Sequence, residues 1–298
     1  MKAFYCDHFV LPLPASHSFP MAKYRRLREL LLADGVVQAG DLLEPAPASR
    51  DELELAHAAP YVDAVFDGTL APEHQRRIGF PWSPGMVERS RRSVGGTIAA
   101  ARTALSEGAA ANLAGGTHHA FADRGEGYCV FNDIAVAARV LQQDGLVGRI
   151  AVIDCDVHQG NGTAAIFRDD PSVFTFSIHG EKNFPFRKET SDLDVMLPDG
   201  TRDAEYLSVL EPSVQAVLRR HRPQFVFYLA GADAYEGDRL GRLALSIEGL
   251  GLRDQMVFDL CAGLPIALVM GGGYCPDVDI IARIHANSIA RLAATAFC

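Results

Sequence analysis

The 298-residue sequence has no CxxC pair; its six cysteines, Cys6, Cys129, Cys155, Cys261, Cys275 and Cys298, are scattered. That spacing excludes a zinc knuckle and a paired redox dithiol. The first residues, MKAFYCDHFVLPLP, interrupt a short apolar stretch with Asp7 and His8 and fail as a signal peptide, so reduced thiols without disulfides are expected. No apolar run reaches the length of a membrane span, and a cytoplasmic location is expected. Internal repeats and low-complexity tracts are absent, and no linker exceeds the PAPAS segment at 45–49. Nothing therefore divides the chain, and one catalytic domain over residues 1–298 is expected. Lysine and arginine number 28 against 37 aspartates and glutamates, a formal charge of -9. This balance argues against a nucleic-acid surface and favours cationic small molecules or lysine-bearing peptides.

What is present is an ordinary globular composition, 48% hydrophobic and 22% charged. Helical periodicity runs through PMAKYRRLRELLLADG, where Met21, Tyr24, Leu27, Leu30 and Leu31 share a face. A second helix is predicted over SPGMVERSRRSVGGTIAAARTALSEG, with Ser83 as cap and Pro84 at its first position. Ser49 and Glu52 have the spacing of a capping box. From Ala110 onward, apolar strands near 111–114, 149–154, 172–178, 224–230 and 265–270 alternate with helices near 132–143, 162–168, 203–221, 246–262 and 276–294. The alternation predicts a three-layer α/β/α domain with a mainly parallel central sheet.

Each strand runs into residues that carry chemistry: GGTHHAF at 115–121, DCDVHQGNG at 154–162, SIHG at 177–180, AGADAYEGD at 230–238 and GGGY at 271–274. The carboxyl ends of parallel strands are where open α/β sheets build sites, so these clusters should converge. Asp154 and Asp156 place two like charges at the edge of the core, which is costly without a compensating cation. On an extended chain Asp154, Asp156 and His158 would offer two hard oxygens and one nitrogen to one volume. As simple turn formers beside an Asn161 or Thr163 helix cap they would need no cation, but Asp233 on a separate strand end makes that account insufficient. Gly160-Asn161-Gly162-Thr163-Ala164-Ala165 fits a dinucleotide fingerprint, yet the two aspartates would stand beside the pyrophosphate. A dinuclear manganese site would want more bridging carboxylates, whereas the second cluster has Gly231 and Tyr235 at the positions alternating with Asp233. One catalytic zinc with three protein ligands and an open position is the better count. His118 and His119 read as acid/base groups, His179 as structural, and Tyr274 as a phenol placed to donate to an oxyanion.

With GGTHHA, GYCVFND, DCDVHQGNG, AGAD and GGGY in this order, the sequence resembles the zinc-dependent histone deacetylase family, which has the arginase-deacetylase fold. The resemblance runs from HSFPMAKYRRL to beyond GGGY. It implies zinc on Asp156, His158 and Asp233, the tandem histidines His118 and His119, Asp154 as partner of His118, and Tyr274 as the carbonyl-polarising phenol. It also implies that the Gly127 carbonyl accepts from the substrate amide and that Tyr128 lines the tunnel, where many relatives carry Phe. A structural potassium ion is implied near Asp154, Asp156, His158, Ser177 and Ile178, and a second near Phe167, Asp170 and Val173.

Many relatives have His and Asp where this sequence has Gln159 and Asn161, and HQGNG is nearer to the class IV branch and its bacterial relatives. Asn161 leaves His119 without a carboxylate partner, which lowers its basicity. The implied activity is hydrolysis of acyl-lysine in proteins or peptides, with acetyl or larger groups removed. The alternatives are an acetylpolyamine amidohydrolase, acting on a small acylated amine, and a non-catalytic acyl-lysine binder, whose signature would be loss of Tyr274 or His119.

Overall fold

The computed structural model describes residues 1–14 and 17–295; Cys298 lies outside the described residues. Its centre is one eight-stranded sheet, β1 (Ala3–Phe4), β2 (Leu42–Leu43), β3 (Ala109–Asn112), β4 (Ile150–Asp154), β5 (Val173–Gly180), β6 (Leu193–Leu197), β7 (Phe225–Leu229) and β8 (Ile266–Val269). The strands lie in the order β2-β1-β3-β8-β7-β4-β5-β6, and every pairing is parallel. Parallel strands require crossovers, and among the described residues helices lie in all of them except the β5–β6 connection, with a last helix after β8: α1 (Ala22–Ala33), α2 (Arg50–Glu54), α3 (Ala59–Asp67), α4 (Pro72–Ile78), α5 (Pro84–Glu107), α6 (Asp133–Gln143), α7 (Asn161–Phe167), α8 (Asp203–His221), α9 (Ile247–Leu260) and α10 (Val278–Thr295).

Strand side chains alternate between two cores. Ala151 and Ile153 of β4 pack with Leu27 of α1, Tyr206 of α8, Leu250 of α9 and Ile281 of α10. Ile150 and Val152 of the same strand face the other way, into a core with Ile98 of α5 and Ile134 of α6. Burial on both faces explains the near-continuous apolar strands FVFYL and IAVI.

The predicted caps are present. Ser83 Oγ accepts from the Met86 amide, and Ser49 and Glu52 close a full capping box. Asn161 does not cap α7: Gly160 holds that position without a side-chain bond, and Asn161 is the first helical residue. The strand expected near 111–114 lies two residues earlier. The five described cysteines are free and buried, and no described helix is long and apolar enough to cross a membrane.

Candidate active site

Four neighbouring strands, β3, β8, β7 and β4, deliver their carboxyl ends side by side. The loops that follow carry His118 and His119, then Gly271 to Tyr274, then Asp233, then Asp156 and His158. Gly116 permits this convergence: its φ is +72°, and a Cβ there would lie 2.4 Å from the Gly271 Cα, so the first two loops touch backbone to backbone.

β4 ends at Asp154, and the chain then bends. Asp154 Oδ1 accepts from the Asp156 amide at 3.1 Å, and Asp156 Oδ1 accepts from the His158 amide at 2.9 Å. The alternating geometry expected of Asp154, Asp156 and His158 therefore does not extend past Asp154. Two carboxylates that close repel, and the His118 ring stands between them, 2.6 Å from Asp154 Oδ2 and 3.8 Å from Asp156 Oδ1. The second carboxylate facing His158 is Asp233. Ligand atoms of Asp156, His158 and Asp233 lie within 4.8 Å of one another, and all three residues are buried. His158 Nδ1 stands 3.0 Å from Asp156 Oδ1 and 3.1 Å from Asp233 Oδ2. Burial opposes a charged imidazole here, yet the hydrogen bonds to the two carboxylates carry His158 up to about 10. Burial and the Asp156 charge push Asp233 up to about 7. The cluster thus recruits positive charge, as a cation site with hard oxygen and imidazole donors does.

Asp154 serves the histidines instead. Its Oδ2 is 2.6 Å from His118 Nδ1. Burial works against the imidazolium, but Asp154 and Asp156 raise His118 to about 9. His119 Nδ1 donates to Asn161 Oδ1 at 2.6 Å, an amide rather than a carboxylate. Burial and the charges of His118 and His158 hold His119 well below its ordinary value. The surroundings therefore push the two adjacent histidines in opposite directions.

Tyr274 is buried, and burial together with the Asp233 and Asp156 charges pushes its phenol well above the usual range, so it keeps its proton. Its peptide is gripped from both sides: the amide donates to Asp238 Oδ2 at 2.6 Å, and the carbonyl accepts from Arg239 Nε at 2.9 Å. The Lys23 ammonium, 2% exposed, donates to the Gly271 carbonyl at 3.2 Å and lies 5.5 Å from the Tyr274 ring centroid.

Gly127 and Tyr128 are the central residues of a tight turn between Glu126 and Cys129, whose amides and carbonyls exchange bonds of 3.0 and 2.9 Å. Both have left-handed φ, +55° and +66°, the requirement of a type I′ turn. At Gly127 a Cβ would meet His119 Cδ2 at 2.7 Å, and Tyr128 accepts the strain while Phe19 and Phe80 pack against its ring. Ser177 and Ile178 lie on β5, with Ser177 in register with Asp154. Ser177 Oγ shares a 2.9 Å hydrogen bond with His179, which is buried in the sheet.

Motif reading assigned no role to four supporting residues, because the partners that define those roles are distant in sequence. Asp133 accepts from the amides of Gly116 and Thr117 and from the hydroxyls of Thr97 and Thr117, and so fixes the tandem-histidine loop. Arg253 Nη1 donates to the carbonyls of Cys155 at 3.2 Å and Gly231 at 2.7 Å, which ties together the two loops bearing Asp156 and Asp233. Asp238 and Lys23 support Tyr274 as described. Asp238, inside the AGADAYEGD cluster, and Asp133, the last residue of GYCVFND, lay within motifs, but neither motif showed their backbone partners.

The histone deacetylase domain matches residues 17–292 of this chain. The chain belongs to the histone deacetylase domain family. An uncharacterized protein of Picosynechococcus sp. is 50% identical over 282 residues, covering 94% of both chains. A histone deacetylase-like amidohydrolase of Pseudomonas aeruginosa is 33% identical over 282 residues, covering 88% of this chain and 74% of that protein. The crystal structure of a histone deacetylase homologue complexed with SAHA superimposes with a TM-score of 0.83 at 26% identity, covering 98% of this chain and 84% of that one. The expected arginase-deacetylase architecture is therefore present, and this family member is a hydrolase.

Proposed function

We propose that residues 1–298 act as one zinc-dependent amidohydrolase that removes acetyl groups from the lysine side-chain amine of proteins or peptides. The observation that carries the reading is the buried Asp156, His158 and Asp233 set beside two histidines and a phenol. These donors suit zinc, and a bound zinc ion supplies a Lewis acid that acidifies water and polarises a carbonyl. The remaining work belongs to the chain. His119 donates its Nδ1 proton to Asn161, which leaves Nε2 to take the proton from the attacking water. His118 stays charged against Asp154 and acts electrostatically. His119 returns its proton to the departing amine, and Tyr274 donates to the developing oxyanion.

The Gly127 carbonyl takes the substrate amide N–H, and Tyr128 narrows the passage to the width of a lysine stem. The cavity beside the two histidines, bounded also by Phe19, Tyr24 and Arg89, measures about 40 Å³. At about 10 to 15 Å³ per water, that suits acetyl better than a long acyl chain. Potassium beside Asp154, Ser177 and Ile178, a second potassium near Phe167, Asp170 and Val173, and a cytoplasmic location belong to the same reading. The test is zinc analysis together with hydrolysis of an acetyl-lysine peptide, with and without chelator. Wild type should hold one zinc and lose activity to chelator, while Asp233→Ala should be metal-poor and inactive. Full zinc occupancy in Asp233→Ala would overturn the ligand assignment.

A further inference from the structure

The passage opens into a mouth of about 740 Å³ whose lining contains five cations, Arg76, Arg77, Lys182, Arg239 and Arg242, and one carboxylate, Glu126. All five cations are exposed. In a chain whose net charge is -9, this concentration runs against the composition. The charges are also poorly neutralised. Arg76 and Arg77, in the last turn of α4, have no carboxylate partner among the described residues. Lys182 and Arg242 share one, Asp199, at 3.9 and 3.3 Å. Arg239 donates to the carbonyls of Tyr274 and Ser18, which leaves its charge intact. The nearby Asp238 turns its carboxylate into the amides of Leu240, Gly241 and Tyr274. Glu126 takes a bond from Asn161 at 3.3 Å, on the inner side of the mouth.

We infer that the acyl-lysine accepted here lies in a peptide segment whose neighbouring residues carry carboxylates. This rests on the amidohydrolase reading given above. The turn bearing Gly127 and Tyr128 docks on α4, with the Gly127 amide donating to the Arg77 carbonyl at 3.0 Å, so the arginine pair borders the passage itself. Residues within two or three positions of a bound lysine would fall under these guanidiniums, whose planar forks pair with carboxylates in two-point fashion. A lysine-rich tail or a polyamine would bring its own cations inside the roughly 8 to 10 Å over which charge acts at ordinary ionic strength. The breadth of the mouth and its apolar residues Phe184, Phe186 and Leu240, with Phe186 89% exposed, suit a peptide rather than a small amine.

The test uses acetyl-lysine peptides of one length that differ only in flanks: two acidic residues on each side, two neutral, or two basic. Free Nε-acetyl-lysine is a fourth substrate, since its own carboxylate offers the same chemistry from a small molecule. The acidic peptide should exceed the basic one in kcat/KM by about tenfold, the yield of two or three exposed ion pairs. The ratio should shrink toward one in 1 M salt, where the screening length is about 3 Å. Double substitution Arg76→Glu and Arg77→Glu should collapse it at low salt. Equal rates, or preference for basic flanks, would overturn the inference and leave the amidohydrolase intact. Free acetyl-lysine turning over as well as the acidic peptide would overturn the choice of a peptide. Binding of the same peptides to Tyr274→Phe, read by fluorescence anisotropy, separates the two proposals. Tighter binding of the acidic peptide without turnover in wild type would sink the activity and uphold the charge preference.

Discussion

Tyr274 is held at its backbone by Asp238 and Arg239, so its hydroxyl is placed before any substrate arrives. Replacing it by phenylalanine keeps the ring packing and removes only the donor. Tyr274→Phe should lower kcat by about 10² to 10³ with little change in KM, the cost of one oxyanion donor. A kcat near wild type would remove Tyr274 from that role. The histidines divide otherwise. In the proposed mechanism His119, bonded to an amide, moves the proton, whereas His118, bonded to Asp154, supplies charge. His119→Ala should therefore lose about 10² to 10⁴ in kcat and be the more damaging of the two substitutions. Steady-state kinetics showing His118→Ala to be worse would exchange the roles. These side chains were legible in the sequence because each sits in a short motif at a strand end. The roles of Asp133, although it ends the GYCVFND motif, and of Arg253 were not. Their work consists of bonds to backbone groups brought close only by the folded sheet, and a buried arginine on a helix has no local signature.

Element boundaries followed the same logic. α8 was predicted over its observed span because its periodicity is long, and the caps of α5 and α2 were written in Ser83, Ser49 and Glu52. The two-residue strands β1 and β2 escaped because so short a segment has no period; β1 adds to the edge of β3, and β2 to the edge of β1. β6 was also missed, although its alternating LDVML carried a signal. One histidine joins elements that no motif connects. His57, just after α2, donates from Nδ1 to the Phe121 carbonyl at 2.9 Å and accepts at Nε2 from the Asn132 amide at 2.9 Å, beside the cap of α6. Accepting at Nε2 needs the neutral ring, and burial lowers His57 from 6.5 to about 4 although the bond to the Phe121 carbonyl opposes the shift. The unfolded chain therefore takes up this proton first as pH falls. Its contribution is complete above pH 6.5 and is lost toward pH 4, by about 3 kcal/mol in all. Urea midpoints at pH 7.5 and 5 should fall more steeply for wild type than for His57→Gln, which cannot titrate. Parallel losses would show that His57 is not the group responsible.

At the scale of the whole molecule, the charge read from composition and the charge met by a substrate have opposite signs. The sum of -9 suggested attraction of cationic substrates. Folding gathers Arg76, Arg77, Lys182, Arg239 and Arg242 from three distant stretches of chain around one opening, and leaves most carboxylates elsewhere. Net charge acts at long range and is screened, while the lining acts within a few ångströms on whatever enters. On the inference drawn above, the local sign decides which substrate is accommodated. Acetylspermidine and an acetyl-lysine peptide present the same amide on the same kind of stem, so the metal site itself cannot separate them. The polyamine, however, carries uncompensated ammonium groups into the cationic mouth, while the peptide can span the opening and cover Phe186. Side-by-side kinetics should give kcat/KM at least about tenfold higher for the peptide at low ionic strength, a gap that two or three unfavourable charge contacts of ordinary exposed strength produce. Added salt should raise the relative rate of acetylspermidine. A tenfold preference for the polyamine would assign the site to small amines, and a gap indifferent to salt would trace the selection to shape rather than to the charged rim.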